Sequence, residues 1–411
     1  MIKLINLTIT LLIMCMLAAE VSAQNSTNSP YSRYGYGEIA NRSFGAGRSM
    51  GGIGIGLRSS KQINPLNPAS YSCMDSLTFL FDFGATGQYS WYTDGVNKQS
   101  DINGNVEYMA MQFPIHRKIA VSIGMLPFSH VGYKYGESKV SNGLTYVETF
   151  EGSGGLNQLY GGVSIDVWKK RLSVGANLNY IFGTVTHSST STFSSENSTY
   201  ILSSKAFKVG KAYLDYGVQY VHLLSKTSSL TFGATFAPKT NLSARTYEAV
   251  QSTVIQTDTV RGLKYEIPTT YGLGVSYEKT DKLIIAADYQ YQGWGSVKFS
   301  DKGGLFQDRS KVAIGGEYIP NLYSQPYLNR LRYRIGGSYA NSYMLSNGNG
   351  YKELSATIGA GFPMSDGRSY INVSFEYVKV KPEVYNMVSE SYLKMTLSYT
   401  FNEYWFFKKK F

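Results

Sequence analysis

Apolar and polar residues alternate with period two through most of the chain. The last such stretch runs from Leu393 to Phe401, with Leu393, Met395, Leu397, Tyr399 and Phe401 set against Lys394, Thr396, Ser398 and Thr400. Others are as regular. Leu172, Val174, Ala176, Leu178 and Tyr180 oppose Ser173, Gly175, Asn177 and Asn179, while Ile371, Val373, Phe375 and Tyr377 oppose Asn372, Ser374 and Glu376. Leu283, Ile285, Ala287, Tyr289 and Tyr291 face away from Asp288, Gln290 and Gln292. Period two puts the two sets on opposite faces of an extended strand. About fourteen such segments follow Leu77, each near the ~10 residues that a tilted membrane strand needs. The pattern predicts an all-β chain, a transmembrane antiparallel β-barrel of about fourteen strands over residues 76–401, greasy outside and polar within.

The connections sort by length. Short turns are predicted near His116-Arg117, Trp168 to Lys170, Ser225-Lys226, Glu278 to Asp281 and Ser365 to Gly367. Long polar connections alternate with them at 132–155, 187–204, 239–268, 293–309, 341–351 and 379–389. One short end and one long end is the asymmetry of an outer-membrane barrel, with short periplasmic turns. The turn from Pro320 to Asn329 breaks the rule by its length. Trp91 and Trp294 are expected at the outer membrane interface, Trp168 and Trp405 at the inner one.

Residues 1–23 have the three parts of a secretory signal: Lys3, an apolar core from Leu4 to Ala19, and Val21-Ser22-Ala23 before Gln24. Export to the cell outer membrane of a Gram-negative bacterium is the expected localisation. Met14 before Cys15 is wrong for a lipoprotein signal. Residues 24–75 lack alternation and are dense in Gly, Ser, Asn and Pro, yet hold Ile39, Phe44, Met50, Ile53, Ile55, Ile63 and Leu66. These are too many apolar residues for a plain linker. The segment is either a disordered leader or an N-terminal hatch (plug) in the lumen, the sharper reading. Residues 402–411 form an aromatic and then basic tail.

Composition narrows the chemistry. Of two cysteines only Cys73 lies beyond the signal, so neither a disulfide nor a cysteine metal site can be built within one chain. The net charge of +11 is scattered and accompanied by no nucleic-acid motif; anionic lipid or lipopolysaccharide is the better match. His116, His130, His187 and His222 lack metal-ligand spacing; His130, near a break in the third strand, is either a ligand contact or, the preferred reading, a solvated loop residue. The glycines between Gly45 and Gly56 are followed by no Lys-Ser/Thr pair, which argues against a nucleotide loop. No enzyme activity and no cofactor are expected.

Strand parity places charged residues inside: Asp82, Asp215, Asp288, Lys311, Glu317, Arg332, Arg334, Glu376 and Lys394. A lumen can pair or hydrate such groups, whereas lipid cannot. Their mixed signs suggest a network locking the hatch to the wall. The sharper alternative makes Arg332 or Arg334 the partner of a ligand carboxylate, within a set that includes Asp288, Glu317 and Glu376.

Three stretches together resemble the FadL family of outer-membrane transporters of long-chain fatty acids and hydrocarbons. The first is Asn64-Pro65-Leu66-Asn67-Pro68-Ala69, preceded by Gly47 to Gly52, which looks like the Gly-rich stretch of Bacteroidota relatives. The second runs from Glu266-Ile267-Pro268 to Trp294, and the third is Leu331 to Tyr339. The resemblance implies fourteen strands, a lumenal hatch carrying Asn64, Pro65, Asn67, Pro68 and Ala69, and a third-strand kink opening sideways to the membrane. In the third strand, Ile119 to Met125 alternate through Gly124, then Leu126-Pro127-Phe128 breaks the pattern. Proline marks an edge or a bulge, so the residues alone allow either an ordinary bulge or an opening at Gly124, Pro127 and Phe128.

The function so implied is passive uptake of hydrophobic molecules, long-chain fatty acids or hydrocarbons, by lateral diffusion. Its partners would be an apolar solute and outer-membrane lipid. The rival is a barrel that docks an outer-membrane protein partner, as relatives in the type IX secretion system do. A hydrophilic porin is disfavoured by the hatch.

Overall fold

The computed structural model describes residues 26–404 apart from 142–143, 194–199, 252–254, 261, 301–304 and 386. The signal segment, Cys15, Trp405 and the end of the basic tail lie outside the described residues. Alternation has become fourteen long antiparallel strands. On one side of the barrel are β1 (Thr78–Thr93), β2 (Lys98–His116), β3 (Ile119–Ser141), β4 (Leu144–Trp168), β5 (Leu172–Phe193), β6 (Tyr200–Leu223) and β7 (Ser228–Ala237). The other side is built from β8 (Thr270–Lys279), β9 (Leu283–Gln292), β10 (Arg309–Tyr318) and β11 (Arg332–Asn341). β12 (Tyr351–Pro363), β13 (Tyr370–Pro382) and β14 (Ser389–Tyr404) complete it. Each strand pairs with the next, and β14 pairs with β1 from Thr78–Tyr404 to Thr93–Ser389, so the sheet closes. Closure removes the free edges that an open sheet would present to lipid.

The predicted parity holds. Leu178, Leu273, Ile314, Ile335 and Ile358 are exposed on the outer face, whereas Asp82, Ser122, Asn177 and Gln219 are buried within. An inverted register would put carboxylates into hydrocarbon, so burial of one face specifies the pairing.

Several connections are more ordered than the polar sequence suggested. Residues 132–141 and 144–155 are strand rather than loop: β3 and β4 continue through them, paired from Gly132–Ser153 to Ser141–Leu144. Over 187–192 and 200–205, β5 and β6 likewise stay paired, as in His187–Lys205 and Ser188–Ser204. Ala244–Gln251 adds to the upper half of β6 and pairs in turn with Ile255–Val260. Polar strands in water lack the apolar face that makes alternation legible, which is why they read as loops. A separate three-stranded patch joins Thr240–Leu242, Lys264–Ile267 and Phe299–Ser300 at the same end. β14 runs to Tyr404, so residues 402–404 belong to the barrel rather than the tail.

The N-terminal residues pack against inward-facing side chains of the wall. The Asp288 carboxylate accepts the backbone N–H groups of Gly54 at 2.6 Å, Ile55 at 2.7 Å and Gly56 at 3.2 Å. Arg48, in the short helix Gly45–Ser49, pairs with Glu107 of β2 at 2.9 Å, and Arg42 with Asp215 of β6 at 3.2 Å. Met50 lies where Gly315 and Gly336 leave room, since a Cβ on Gly315 would come 2.6 Å from its Cβ.

Candidate functional site: the lateral gap and the cavity behind it

The Asn-Pro-Ala stretch is a built anchor. Asn67 caps the 3-10 helix Pro68–Cys73 by accepting from Ala69 N at 3.1 Å, and its Nδ2 donates to Ile55 O and Val218 O. Asn at the cap and Pro in the first turn suit a helix start. Asn64 Nδ2 donates to Gly54 O at 2.6 Å, Pro65 is buried, and Ala69 O accepts from Ser164 Oγ of β4. Asn67, Pro68 and Ala69 thus touch the wall, while Asn64 braces the segment internally.

The third strand has a register shift between Pro127 and Ser129. β2 and β3 pair from His116–Ile119 up to Met109–Met125, and there the ladder stops although both strands continue. On its other side β3 stays paired with β4, with a bulge between Pro127 and Ser129 that leaves Phe128 as the extra residue. Below the bulge Gly124 is required by close approach: a Cβ there would meet Ala110 Cβ and the Tyr160 ring, each at 2.7 Å. β2 has its own irregularity, between Gly84–Tyr108 and Ala85–Val106, which turns Glu107 and Tyr108 both inward. Two bulges therefore flank one gap, and bulges re-aim side chains where pairing ends.

Behind the gap lies a cavity of about 200 Å³. Asn105 and Glu107 of β2 and Phe128 and His130 of β3 reach it, so it meets both edges of the gap. Its far wall includes Lys311 and Glu376. His130, expected on a solvated loop, is a half-buried residue of β3 on the cavity wall.

The carboxylate-binding alternative for the arginines meets a structural obstacle. Arg332 Nη1 and Arg334 Nε both donate to Glu317, at 2.6 and 2.7 Å, and Arg334 Nη1 donates to Asn372 at 2.7 Å. They sit at the short-turn end, apart from the cavity lining, where they tie β10, β11 and β13 together. Of the five residues grouped from parity, Asp288 anchors the N-terminal segment, Glu317, Arg332 and Arg334 form this wall network, and Glu376 faces the cavity.

The long-loop end is covered by aromatic rings that the sequence reading missed. Trp294, expected at the membrane interface, is fully buried beside Tyr343 (ring centroids 4.6 Å), Phe306 (5.5 Å) and Tyr36 (5.9 Å). Phe299 meets Tyr36 edge-on at 4.9 Å. Tyr36 comes from the N-terminal segment and the others from the connections after β9 and β11. Their one sequence signal is bulky rings in otherwise polar connections, which assigns no partner. Tyr343 Oη accepts from Tyr36 N and donates to Gly37 O, and Tyr36 Oη donates to Glu266 O. Burial raises the Glu266 carboxyl, but the Lys239 ammonium at 2.7 Å and the Lys298 N–H outweigh it and hold the group below the usual range. Tyr343→Phe should strand one buried donor and one acceptor, at about 1–3 kcal/mol. Amide exchange over residues 35–37 should accelerate in that variant; unchanged exchange would show that ring packing alone holds the cover.

Among curated proteins none matches this chain. Solved barrels do. The toluene transporter TbuX of Ralstonia pickettii superposes with a TM-score of 0.61 at 17% identity, covering 87% of this chain and 98% of that one. A Pseudomonas aeruginosa FadL homologue gives 0.59 at 13%, with 89% and 99% covered. The P. putida toluene transporter TodX gives 0.54 at 15%, again with 89% and 99% covered. At these identities the likeness is one of fold, and the FadL-type architecture expected from the sequence holds. By sequence, the family model described as BamG matches residues 1–411, and the chain belongs to the BamG family.

Proposed function

We propose that this protein is an outer-membrane barrel, exported by its first 23 residues, which passes hydrophobic molecules sideways into the membrane. The observation that carries the reading is the cavity that meets both strands where the β2–β3 ladder stops. Residues 24–75 serve as its hatch, held by the Asn64 to Ala69 motif. Long-chain fatty acids or hydrocarbons are the proposed solutes, and the toluene transporters that share the fold support that class. Transfer of apolar surface out of water drives the passage, with no cofactor and no catalysis. The basic surface would lie against lipopolysaccharide.

Pro127→Val should regularise β3, since valine restores an N–H and suits a ladder. Uptake of a fluorescent fatty acid into proteoliposomes is expected to fall while the barrel stays folded; unchanged uptake would count against lateral exit.

One observation favours a second reading, a protein-docking barrel. The cavity wall mixes cationic and carboxylate side chains and the mouth is closed by packed rings, features that suit a scaffold better than a route for hydrocarbon. Native mass spectrometry of the barrel extracted from its own outer membrane separates the two. A fatty acid or hydrocarbon released on activation supports transport. A stoichiometric protein partner on an empty barrel supports docking.

A further inference from the structure

The outer wall carries an apolar groove of about 570 Å³ across β6 to β10. Tyr220 of β6, Phe232 of β7, Leu273 of β8 and Tyr289 of β9 stand exposed along it, with the small side chains of Ala234 and Ala287 between them. Register aligns the lining in two rows. Ala234 lies opposite Leu273 and Leu273 opposite Tyr289; Tyr220 lies opposite Phe232, and Val275 opposite Ala287. Gly233 and Gly274 are directly behind, each so close to Ile55 or Gly56 that no side chain fits between. The wall at the groove is therefore one backbone thick.

Down the same strands, the short turns present lysines. Lys279 shares the outward face of β8 with Val275, four residues and ~13 Å away. Half of the hydrocarbon core is about 15 Å, so the groove lies at the depth of the far part of a tail whose headgroup sits at Lys279. Thr280 N donates to Thr227 O at 2.9 Å, which sets the β6–β7 turn and its Lys226 beside the β8–β9 turn. Lys226 and Lys279 are exposed, with no side-chain hydrogen bond or ion pair among the described residues. Lys282 lies over the Tyr318 ring at 5.0 Å and spends one of its three donors on Pro320 O at 2.7 Å. Of the acids in this turn, Asp281 lies 4.0 Å from Lys61, and Glu278 takes the inward parity of β8. Tyr277, between the lysines and the groove, suits the interface.

We infer that the groove and these lysines bind one anionic glycerophospholipid of the periplasmic leaflet, with its phosphate on Lys226, Lys279 and Lys282 and one acyl tail in the groove. Within a bilayer a tail gains no hydrophobic free energy by moving onto the wall. Retention therefore depends on close packing in the groove and on charge at the turns, and both are present on the same strands. The inference rests on the outer-membrane reading, which puts the short turns in the periplasm, and not on the solute proposed.

The test titrates the full mature chain, stripped of lipid in detergent, with dioleoyl phosphatidylglycerol and reads retained lipid by native mass spectrometry. The parent is expected to keep one lipid. Lys226→Gln/Lys279→Gln/Lys282→Gln should weaken retention at least ~10-fold. Ala234→Leu/Ala287→Leu, which fills the groove from the lipid side and keeps the cations, should weaken it by a comparable factor. Lys118→Gln/Lys169→Gln/Lys170→Gln removes the same charge from other short turns and should leave retention unchanged. Gel mobility checks that each variant is folded. An equal loss in that last variant would overturn the site in favour of net charge, and equal retention in all of them would overturn it in favour of a nonspecific annulus. Equal retention of phosphatidylcholine by the parent would overturn the headgroup assignment. Insertion into liposomes is scored separately. A chain that does not insert sinks the outer-membrane reading and the site with it, whereas one that inserts but keeps no lipid overturns the site alone.

Discussion

Replacing Glu317 by alanine is expected to be the most damaging single change in the barrel wall. Its two carboxylate oxygens each take one guanidinium, Oε1 from Arg332 and Oε2 from Arg334, and the Glu317 and Arg334 side chains are each only 4% exposed. Removal leaves two cations facing one another without a counter-charge. Breaking a buried pair by deleting one partner costs about 3–5 kcal/mol, because the remaining charge keeps its desolvation penalty. Three strands lose their shared tie at the short-turn end, since Arg334 also reaches Asn372 of β13. The check is the temperature at which the detergent-solubilised barrel loses its folded, faster-migrating form on a gel. Glu317→Ala should lower it clearly. The triple change Glu317→Leu/Arg332→Leu/Arg334→Met should recover most of the loss, because no unpaired charge remains. A triple variant as unstable as Glu317→Ala would mean that volume, not charge, sets the effect.

Asp288→Leu should act differently, freeing the N-terminal segment while leaving the barrel closed. One carboxylate satisfies three consecutive N–H groups, those of Gly54, Ile55 and Gly56. Leucine accepts from none, and each stranded buried donor costs about 1–3 kcal/mol. The loss falls on the interface between segment and wall, because the β8–β9–β10 ladder around Asp288 is backbone-paired and does not use the side chain. Limited proteolysis is therefore expected to cut within residues 41–75 in Asp288→Leu and not in the parent, with unchanged gel mobility of the barrel. Asp288→Asn, which retains one acceptor oxygen, should fall between. Equal resistance in all three would show that Asn67, Arg42 and Arg48 hold the segment without help.

The two variants probe two kinds of inward-facing acid that the sequence could not separate. Parity placed Glu317 and Asp288 inside on the same argument, and both are buried there. Their roles differ because of what lies opposite. Glu317 faces arginines two strand positions apart on β11, whereas Asp288 faces the turn of a segment more than 200 residues earlier. A linear pattern reports which face a side chain takes, but not which distant residue completes its hydrogen bonds.

The same division runs through the candidate site. Gly124, Pro127 and Phe128 were legible as a break, because a glycine, a proline and a lost alternation are local signals. That the break coincides with the end of the β2 ladder at Met109–Met125 depended on register between two strands. Glu107 was invisible for the same reason: it faces inward only because a bulge on β2 shifts its parity. Trp294 was misplaced, since an aromatic at a strand end suits a lipid interface and a packed core equally well.

What the sequence determined by itself was the class of architecture. Period two with one apolar face specifies strands half in lipid and half around a polar lumen, and enough of them must close, because no edge survives in hydrocarbon. What only the tertiary structure decided were the contacts between distant segments. Glu38 meets His130, Ser29 meets Glu390 at a separation of 361 residues, and Tyr36 meets Tyr343 and Trp294. Those contacts exist because a ring of strands brings far parts of the chain around one lumen, and alternation along a single strand carries no record of what stands across it.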